Sequence, residues 1–307
     1  LMPIILDNVT YTYGKGTPFE KTALKGVSVT INEGEFVGII GHTGSGKSTL
    51  VQHLNGLIHP TEGVVTINGV DAAGKTEEVK NMRHKVGMVF QYPEHQLFEE
   101  TIAADIAFGP RNLGLNEEQV DERVREAMAF VGLDYDTYAT RSPFHLSGGQ
   151  MRRVAIAGVI ALNPSYLVLD EPSAGLDPFG REEIFGEVMR LHKEKGITVV
   201  LVSHNMEDIS KMANRLLVVD DGKILLDGAP LDIFLNHRQE LQAAGVDVPP
   251  VSMLMDYLVQ RGLPVSRSVI TTEEAAKAIE KALGEMKTTN AHSADSAKSS
   301  QEVSHAE

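Results

Sequence analysis

The stretch that decides the fold of this chain is Gly41-His42-Thr43-Gly44-Ser45-Gly46-Lys47-Ser48-Thr49. It matches the phosphate-binding motif G-x-x-x-x-G-K-[ST] at every fixed position. Residues 36–40 before it form an apolar run typical of a buried strand, and residues 48–55 after it carry apolar side chains at helical spacing. A strand, a glycine-rich loop and a helix in this order predict a cradle for the phosphates of a nucleoside triphosphate.

The residue types in this loop suit the chemistry of phosphate binding. Gly41, Gly44 and Gly46 let successive backbone N–H groups turn inward around a phosphate, and the following helix adds the positive end of its dipole. Lys47 supplies a positive charge for the β- and γ-phosphates, and Ser48 supplies a hydroxyl group for Mg²⁺. We therefore expect residues 41–49 to bind the triphosphate. A glycine-rich turn that binds nothing is the alternative, and the flanking strand and helix argue against it.

Composition excludes several other functions. The 307 residues are 42% hydrophobic and 23% charged, which is ordinary for a globular protein. Because the chain has no cysteine, it can form neither a disulfide framework nor a thiolate metal site. The net charge of −14 argues against a broad nucleic-acid surface, and no apolar run approaches the length that spans a bilayer. We expect a soluble, cytoplasmic protein that does not bind nucleic acid.

Residues 1–235 alternate between apolar runs and helical patterns. The alternation predicts an α/β fold with a parallel sheet, the core of a P-loop nucleoside triphosphatase. The strands near both ends of this region predict an antiparallel accessory sheet. Residues 92–162 are mostly helical in pattern, and we expect them to form a helical subdomain inserted into the core. Besides residues 36–40, the predicted strands lie at about 4–9, 27–31, 63–69, 86–90, 166–170, 197–202, 216–219 and 223–227.

The chain beyond residue 235 has a different character. Residues 236–286 predict a small helical extension, with amphipathic helices at about 252–261 and 272–284. An apolar stripe that includes Met253, Leu254 and Tyr257 packs either on the chain's own core, which is the commoner case, or on a partner. Residues 287–307 are rich in Ser, Thr and Ala, so they predict a disordered tail.

Two adjacent carboxylates mark a second strand end. The apolar run 167–169 leads directly into Asp170 and Glu171. Beside a phosphate loop, an aspartate in this position holds Mg²⁺ directly or through water. Glu171 lies one residue further, where it can reach the γ-phosphate and polarise an attacking water as a general base. We therefore predict that Asp170 is a metal residue and that Glu171 is catalytic.

Three more features fit a triphosphate site. Ser147-Gly148-Gly149-Gln150 opens a helical run and exposes several N–H donors, so it predicts a second anion site. Gln91, at a strand end, can contact the Mg²⁺ or the attacking water and can also face a partner. His204, also at a strand end, can hydrogen-bond the γ-phosphate and sense its presence. A capping serine or a single histidine usually has no role in phosphate binding. Only the phosphate loop in the same chain supports this interpretation of Ser147 and His204.

Tyr13 precedes a Gly-Lys-Gly-Thr-Pro loop and follows Tyr11 by two residues. An aromatic ring in this place can stack on a nucleotide base, because every base offers a π-face. Ordinary strand tyrosines are the alternative, since tyrosine favours β-strands. The residues alone leave both open.

The ordered set of these motifs resembles the ATP-binding cassette (ABC) ATPases, and the resemblance covers about residues 4–235. It implies that ATP is the nucleotide and that Tyr13 stacks on the base. It also implies that Lys47, Gln91, Glu171 and His204 are catalytic and that Ser48, Gln91 and Asp170 serve Mg²⁺. In the same way, Ser147–Gln150 is similar to the family's signature motif, and residues 173–177 to the loop that follows the catalytic glutamate.

A narrower resemblance lies in residues 90–98, 107–110 and 147–158 and in the C-terminal extension. These segments look like the ATPases of energy-coupling factor (ECF) uptake transporters for vitamins and metal ions, and most like the second of their two ATPase subunits. The resemblance implies a pair with a second ATPase subunit, either a heterodimer or a homodimer, with residues 236–286 as a dimerisation segment. It also implies a transmembrane scaffold protein and a substrate-binding membrane component as partners, at the cytoplasmic face of the membrane.

Two other classes of function compete with this interpretation. One is a soluble ABC-type ATPase that acts on nucleic acid or ribosomes, which usually carries a long coiled coil or a second cassette in its chain. The other is a regulatory subunit that binds nucleotide without hydrolysing it, which the presence of Glu171 and His204 disfavours. The substrate never touches such an ATPase, so the sequence does not identify the cargo.

Overall fold

The structure is a computed structural model that describes residues 3–285, so the predicted tail at 287–307 lies outside the described residues. The chain divides into two compact units. The first runs to His204 and includes Met212–Ala229, and the second consists of Asn205–Lys211 and the chain from Pro230 onwards. The first unit holds both sheets, and the described part of the second is helical and loop structure.

Ten strands in the described residues form two sheets. They are β1 Ile4–Tyr13, β2 Lys21–Ile31, β3 Phe36–Ile40, β4 Glu62–Ile67, β5 Val70–Asp71, β6 Val86–Val89, β7 Tyr166–Asp170, β8 Thr198–Val202, β9 Arg215–Asp220 and β10 Lys223–Gly228. The main sheet has the strand order β10-β9-β3-β8-β7-β6, and all neighbouring pairs are parallel except β9 and β10. Every residue of β3, β7 and β8 is buried, as the continuous apolar runs of these strands require. The predicted parallel core is confirmed.

The accessory sheet has the order β2-β1-β4-β5, and its strand pairs are antiparallel. The prediction of an antiparallel accessory sheet is therefore confirmed for the strands at the start of the chain. It is wrong for the strands near the end. Strand β9 pairs parallel with β3 in the main sheet, because its central residues Leu216–Val219 are buried on both faces. Only the edge strand β10 alternates between exposed and half-buried residues.

The described residues also form twelve α-helices. They are α1 Lys47–Leu54, α2 Glu77–Arg83, α3 Ile102–Asn112, α4 Glu117–Phe130, α5 Tyr135–Tyr138, α6 Gly148–Ile160, α7 Pro178–Lys195, α8 Met206–Met212, α9 Pro230–Asn236, α10 Arg238–Ala243, α11 Pro250–Gln260 and a twelfth, α12, over residues 272–285. Short 3₁₀ helices occupy Pro93–Gln96 and Pro143–His145.

Helices α3 to α6 lie in the stretch predicted to be an inserted helical subdomain. Asn116 caps α4 as predicted, because its side chain accepts from the backbone N–H of Gln119 at 2.9 Å. The Gln119 side chain in turn accepts a hydrogen bond from the Asn116 backbone N–H, which completes a capping box. Buried apolar residues at helical spacing, among them Ile106, Val124 and Val154, give α3, α4 and α6 their packing faces.

The second unit has its own small apolar cluster, centred on Met255, Val269 and Ala275. The predicted helices near 252–261 and 272–284 are present as α11 and α12. Helix α12 is tied to α8 by a hydrogen bond from the Thr272 hydroxyl to Glu207 at 2.9 Å. Between residues 3 and 285, no helix is both long and apolar enough to span a bilayer.

Candidate active site

The phosphate loop joins β3 to α1 and packs closely against backbone atoms of neighbouring strands. Gly41 has φ +156°, and a Cβ atom there would lie 2.2 Å from the Val219 carbonyl oxygen. Gly46 has φ +110°, and a Cβ atom there would lie 2.6 Å from the Ala23 carbonyl oxygen. A Cβ atom on Gly44 would meet nothing within 4 Å. Gly41 and Gly46 are therefore required because the loop packs closely against the backbone of Val219 and Ala23. Gly44 has open space beside it, which leaves room for a ligand.

Two groups in the loop are poised for an anion. Helix α1 begins after Gly46 without a side-chain cap, so the N–H groups of its first turn remain available. The Lys47 ammonium is nearly buried and donates to the carbonyl oxygens of Gly41 at 2.7 Å and His42 at 2.9 Å. Burial lowers the pKa of Lys47, and the carboxylates of Glu171 and Asp170 partly offset this effect. A phosphate would give this desolvated cation a full counter-charge.

The rest of the loop is fixed by the turn between β9 and β10. The Gly222 N–H donates to the Ser45 carbonyl oxygen at 2.9 Å. The His42 ring contacts Asp220 at 3.2 Å, so this predicted loop residue turns its side chain towards the hairpin. Ser45 is fully buried, and its hydroxyl has no hydrogen-bond partner among residues 3–285. His42 and Ser45 therefore contribute through the backbone of the loop.

The donors for Mg²⁺ lie side by side. The Ser48 hydroxyl is hydrogen-bonded to the Asp170 carboxylate at the end of β7. Burial raises the pKa of Asp170, since the Ser48 hydrogen bond and nearby Lys47 only partly compensate for lost hydration. A buried carboxylate next to a hydroxyl suits a hard cation that keeps most of its other ligands as water and phosphate oxygens. The donor set therefore fits Mg²⁺.

Glu171 is the meeting point of three strand ends. Its carboxylate contacts His204 Nε2 at 2.7 Å and accepts from Gln91 Nε2 at 3.2 Å. Its backbone has φ +51°, an unfavourable conformation for a residue with a Cβ atom, which costs about 1–3 kcal/mol. The Glu171 N–H donates to the Val202 carbonyl oxygen at 3.1 Å and holds this conformation. The structure thus brings together Gln91, Glu171 and His204, as the sequence predicted.

Tyr13 stands at the rim of the same site. Its hydroxyl group lies 3.1 Å from the Thr49 hydroxyl, and its ring packs edge-on against Tyr11 at 4.8 Å. Tyr11 is braced in turn by the buried His53 ring at 5.1 Å. Tyr13 remains 42% exposed, so its side chain is accessible to a base.

Ten of the predicted site residues border one open cleft of about 600 Å³, whereas Gly41, His42, Ser45 and Asp170 are not part of its lining. Lys21 and Ala23 of β2 also line it, and no pattern in the sequence indicated either residue. The cleft is lined by Tyr13, Lys21, Ala23, Thr43, Gly44, Gly46, Lys47, Ser48, Thr49, Gln91, Glu171 and His204.

The segment Ser147–Gln150, predicted to be a second anion site, forms the capped start of α6. Ser147 caps α6, with its hydroxyl accepting from the Gln150 N–H at 3.3 Å and the Gln150 side chain accepting from the Ser147 N–H at 3.1 Å. Ser147 and Gly148 are exposed, and Cβ atoms on Gly148 and Gly149 would meet nothing within 4 Å. None of these four residues lines the cleft. The helix start predicted as a second anion site therefore lies outside the cleft.

An ion pair that sequence reasoning missed joins α6 to the 3₁₀ helix Pro93–Gln96. Arg152 is 3% exposed and forms a two-pronged contact with Glu94, at 3.0 and 2.8 Å. Burial alone would raise the pKa of Glu94, but the Arg152 hydrogen bond, a backbone hydrogen bond and the nearby positive charge together outweigh it and hold that pKa below its usual value. The signal was available, since Arg152 shares a helical face with buried Ile156 and Ile160.

Comparisons with known proteins agree with this site. Residues 24–174 match the family model described as ABC transporter. The chain is 53% identical over 276 residues to the energy-coupling factor transporter ATP-binding protein EcfA2 of Clostridium tetani, which covers 90% of this chain and 96% of that protein. It is also 53% identical over 278 residues to EcfA2 of Clostridium acetobutylicum, at 91% and 97% coverage.

Two solved structures share the fold. The cbiO1 structure from Clostridium perfringens, described as part of the ABC transporter complex cbiONQ, superposes with a TM-score of 0.68 at 33% identity. It covers 82% of this chain and 98% of cbiO1. The dimeric post-hydrolysis structure of the ATP-binding cassette MJ0796, bound to ADP and Pi, gives a TM-score of 0.66 at 33% identity. It covers 74% of this chain and 98% of MJ0796.

The fold and the cleft are those of an ABC ATPase, an enzyme that couples ATP hydrolysis to transport. Within that class, the chain belongs to the family of ATP-binding proteins of ECF-type ABC importers. The sequence-based resemblance to this family, and to its second ATPase subunit, is confirmed by relatives that carry the name EcfA2.

Proposed function

We propose that this chain binds and hydrolyses ATP in a head-to-tail pair with a second ATPase subunit. One observation carries the proposal: the cleft around Lys47 and Glu171 is open, while the chain's own Ser147–Gln150 stands exposed on another surface. Two chains packed head to tail would place each exposed helix start over the other chain's triphosphate. The dimeric MJ0796 structure with ADP and Pi supports this arrangement.

In the closed pair, we assign the chemistry at this chain's cleft to Glu171. Contacts with Gln91 and His204 orient its carboxylate, which still lines the cleft. A carboxylate at this position takes a proton from the water that attacks the γ-phosphate. Lys47 and the first N–H groups of α1 stabilise the charge that develops on the phosphate oxygens. His204 donates to the γ-phosphate and registers whether it is still attached.

Ser48 and Asp170, with Gln91, would hold the Mg²⁺ that accompanies ATP. The ion, when bound, neutralises charge on the β- and γ-phosphates. Asp170 keeps the Ser48 hydroxyl oriented towards the cleft through their hydrogen bond. Tyr13 offers its exposed ring to the adenine base.

The surface that faces the membrane partners lies after Gln91. Phe98 and Phe108 form an edge-on pair at 4.9 Å, and both rings are about half exposed. Large exposed aromatic rings are typical of protein interfaces. We propose that this pair and Tyr92 contact a transmembrane scaffold protein, which also carries a substrate-binding membrane component for a vitamin or a metal ion. The ATPase pair would then sit at the cytoplasmic face of the membrane, and nucleic acid has no role.

Residues 236–286 supply a second contact between the ATPase subunits. On α11, Met253, Leu254 and Tyr257 are exposed although their neighbours pack into the apolar cluster of the second unit. We propose that this stripe is the dimerisation surface of the C-terminal segment. The pairing partner is a second ATPase subunit, with a heterodimer preferred to a homodimer.

The experiment that tests the pairing is ATP-dependent association, measured by light scattering. The Glu171→Gln variant, mixed with the second ATPase subunit, should associate more tightly with ATP than with ADP, over and above any association through α11. A bulky cation in the signature, Ser147→Arg, should abolish this ATP-dependent gain in affinity. An affinity between the subunits that does not rise with ATP, or a rise that survives Ser147→Arg, would contradict the head-to-tail arrangement.

A further inference from the structure

Arg152 links two loops that lie on either side of the catalytic carboxylate. Its Nε and Nη2 groups donate to the Glu94 carboxylate, and its Nη1 group donates to the carbonyl oxygens of Pro172 and Ala174 at 3.1 and 2.6 Å. Glu94 lies in the 3₁₀ helix that follows Gln91. Pro172 and Ala174 belong to the turn that follows Glu171. The buried Arg152 side chain therefore contacts both the segment after Gln91 and the turn after Glu171.

The geometry requires a guanidinium group. Three of its nitrogens point to acceptors on two different loops, in the plane that only arginine offers. An ammonium group is a single point charge, so it can satisfy either the carboxylate or the carbonyl oxygens, but it cannot span both in this geometry. The side chain is 3% exposed, so water cannot take over a contact that is lost.

The Glu94 loop also carries the surface proposed to meet the membrane partner. Tyr92 has φ +56°, which turns the chain sharply just after Gln91. Its ring lies 6.0 Å from the Arg152 guanidinium carbon and borders Gly175 in the turn after Glu171. Phe98 follows on the same segment, with 57% of its surface exposed. Arg152 thus stands between the exposed segment 92–98 and the turn 172–175.

We propose that Arg152 is a positioning residue that joins these two segments into one moving part. The inference rests on the proposed function, because it takes residues 92–98 as the membrane-facing segment. A displacement of this segment by the membrane scaffold is passed through Glu94 and Arg152 to the turn after Glu171. Binding of the partner then sets the position of the general base and of residues 172–175 without touching the nucleotide.

The test compares three variants, each paired with the second ATPase subunit, with and without the membrane scaffold. Arg152→Lys keeps the charge and breaks the bridge, and Glu94→Gln weakens only the arm towards the membrane-facing segment. Arg111→Gln is the matched control, since Arg111 makes a similar two-pronged contact with Glu117 at 3.1 and 2.9 Å on an exposed surface. The readouts are kcat, KM for ATP and the ratio of hydrolysis rates with and without scaffold.

Arg152→Lys should lower kcat about tenfold or more, because a small displacement of a catalytic group is costly, while KM stays within about twofold. Glu94→Gln should lower the ratio of scaffold-stimulated to basal hydrolysis by about threefold or more, which a purely structural role would not predict. The control should match the wild type in all three readouts.

The inference is overturned if Glu94→Gln keeps the wild-type ratio, or if Arg152→Lys raises KM in step with the loss of kcat. Glu94→Gln retains Arg152 and its two carbonyl contacts. It therefore tests the link between the two segments even if Arg152→Lys does not fold. A wild-type pair that hydrolyses ATP but ignores the scaffold would instead refute the proposed membrane-facing segment. The kcat result for Arg152→Lys would still test the contact with the turn after Glu171.

Discussion

Replacing the carboxylate of Glu171 with an amide tests the proposed chemistry most sharply. Glutamine has the same size, so Glu171→Gln keeps the strained backbone and a hydrogen-bonding group between Gln91 and His204. It removes only the basic oxygen. The groups that hold the triphosphate, namely Lys47 and the first turn of α1, are untouched, so the affinity for ATP should change by less than about threefold.

The loss of rate follows from the role assigned to the carboxylate. A positioned general base contributes about 10²- to 10⁴-fold to a reaction rate, or about 3 to 5 kcal/mol of activation free energy. We expect kcat at this chain's cleft to fall by that factor. The assay is steady-state phosphate release by the pair, with the corresponding glutamate of the second subunit already replaced so that only this cleft turns over.

Glu117→Gln is the matched control for this experiment, because Glu117 is an exposed carboxylate that pairs with Arg111. It should leave both kcat and ATP binding as in the wild type. Hydrolysis by Glu171→Gln within about threefold of the wild-type rate would refute the assignment of the general base. A parallel loss of ATP affinity would show instead that the variant disturbs the phosphate loop.

Three further predictions concern the cradle, the metal residue and the membrane-facing surface. Lys47→Ala should weaken ATP binding about tenfold or more in a calorimetric titration, since it removes a charge-assisted contact; an unchanged Kd would contradict this role. Asp170→Asn should raise the melting temperature of nucleotide-free protein at neutral pH, because burial raises the pKa of Asp170 and its charged form therefore destabilises the fold. That gain should shrink as the pH falls and the wild-type carboxyl takes up a proton, and a gain independent of pH would be inconsistent with it. Phe98→Glu should leave the ATPase activity of the soluble pair intact but abolish transport in vesicles, and undiminished uptake would rule out this surface.

The sequence predicted most of what is local along the chain. The loop at Gly41–Thr49, the strand ends at Gln91, Asp170 and His204, and the caps at Asn116 and Ser147 all depend on short-range patterns. Parallel strands bring their ends to one edge of a sheet, so the meeting of Gln91, Glu171 and His204 followed from the fold class.

What the sequence did not predict depends on contacts between distant segments. Strand β9 pairs with β3 although 174 residues separate Ile40 from Arg215, and no local pattern specifies that pairing. The bridge from Arg152 to Glu94 and to the turn after Glu171 is likewise a product of packing. His42 turned towards Asp220 for the same reason, because the β9–β10 hairpin that holds it lies far away in sequence.

The two-chain cleft is the central claim, and the lack of cysteine in this chain allows it to be measured directly. A thiol introduced by Ser147→Cys is the only one in the chain and lies at the exposed start of α6. Its rate of reaction with a maleimide is measured with and without MgATP, in the Glu171→Gln background and with the corresponding glutamate of the second subunit also replaced, which prevents turnover at both sites. The chain is used at a concentration where light scattering shows a monomer.

ATP should leave the thiol reactive in the isolated chain and should protect it about tenfold or more once the second ATPase subunit is present, since a closed interface excludes the reagent. Protection by ATP in the monomer, or none in the pair, would show that Ser147 does not complete the partner's nucleotide site.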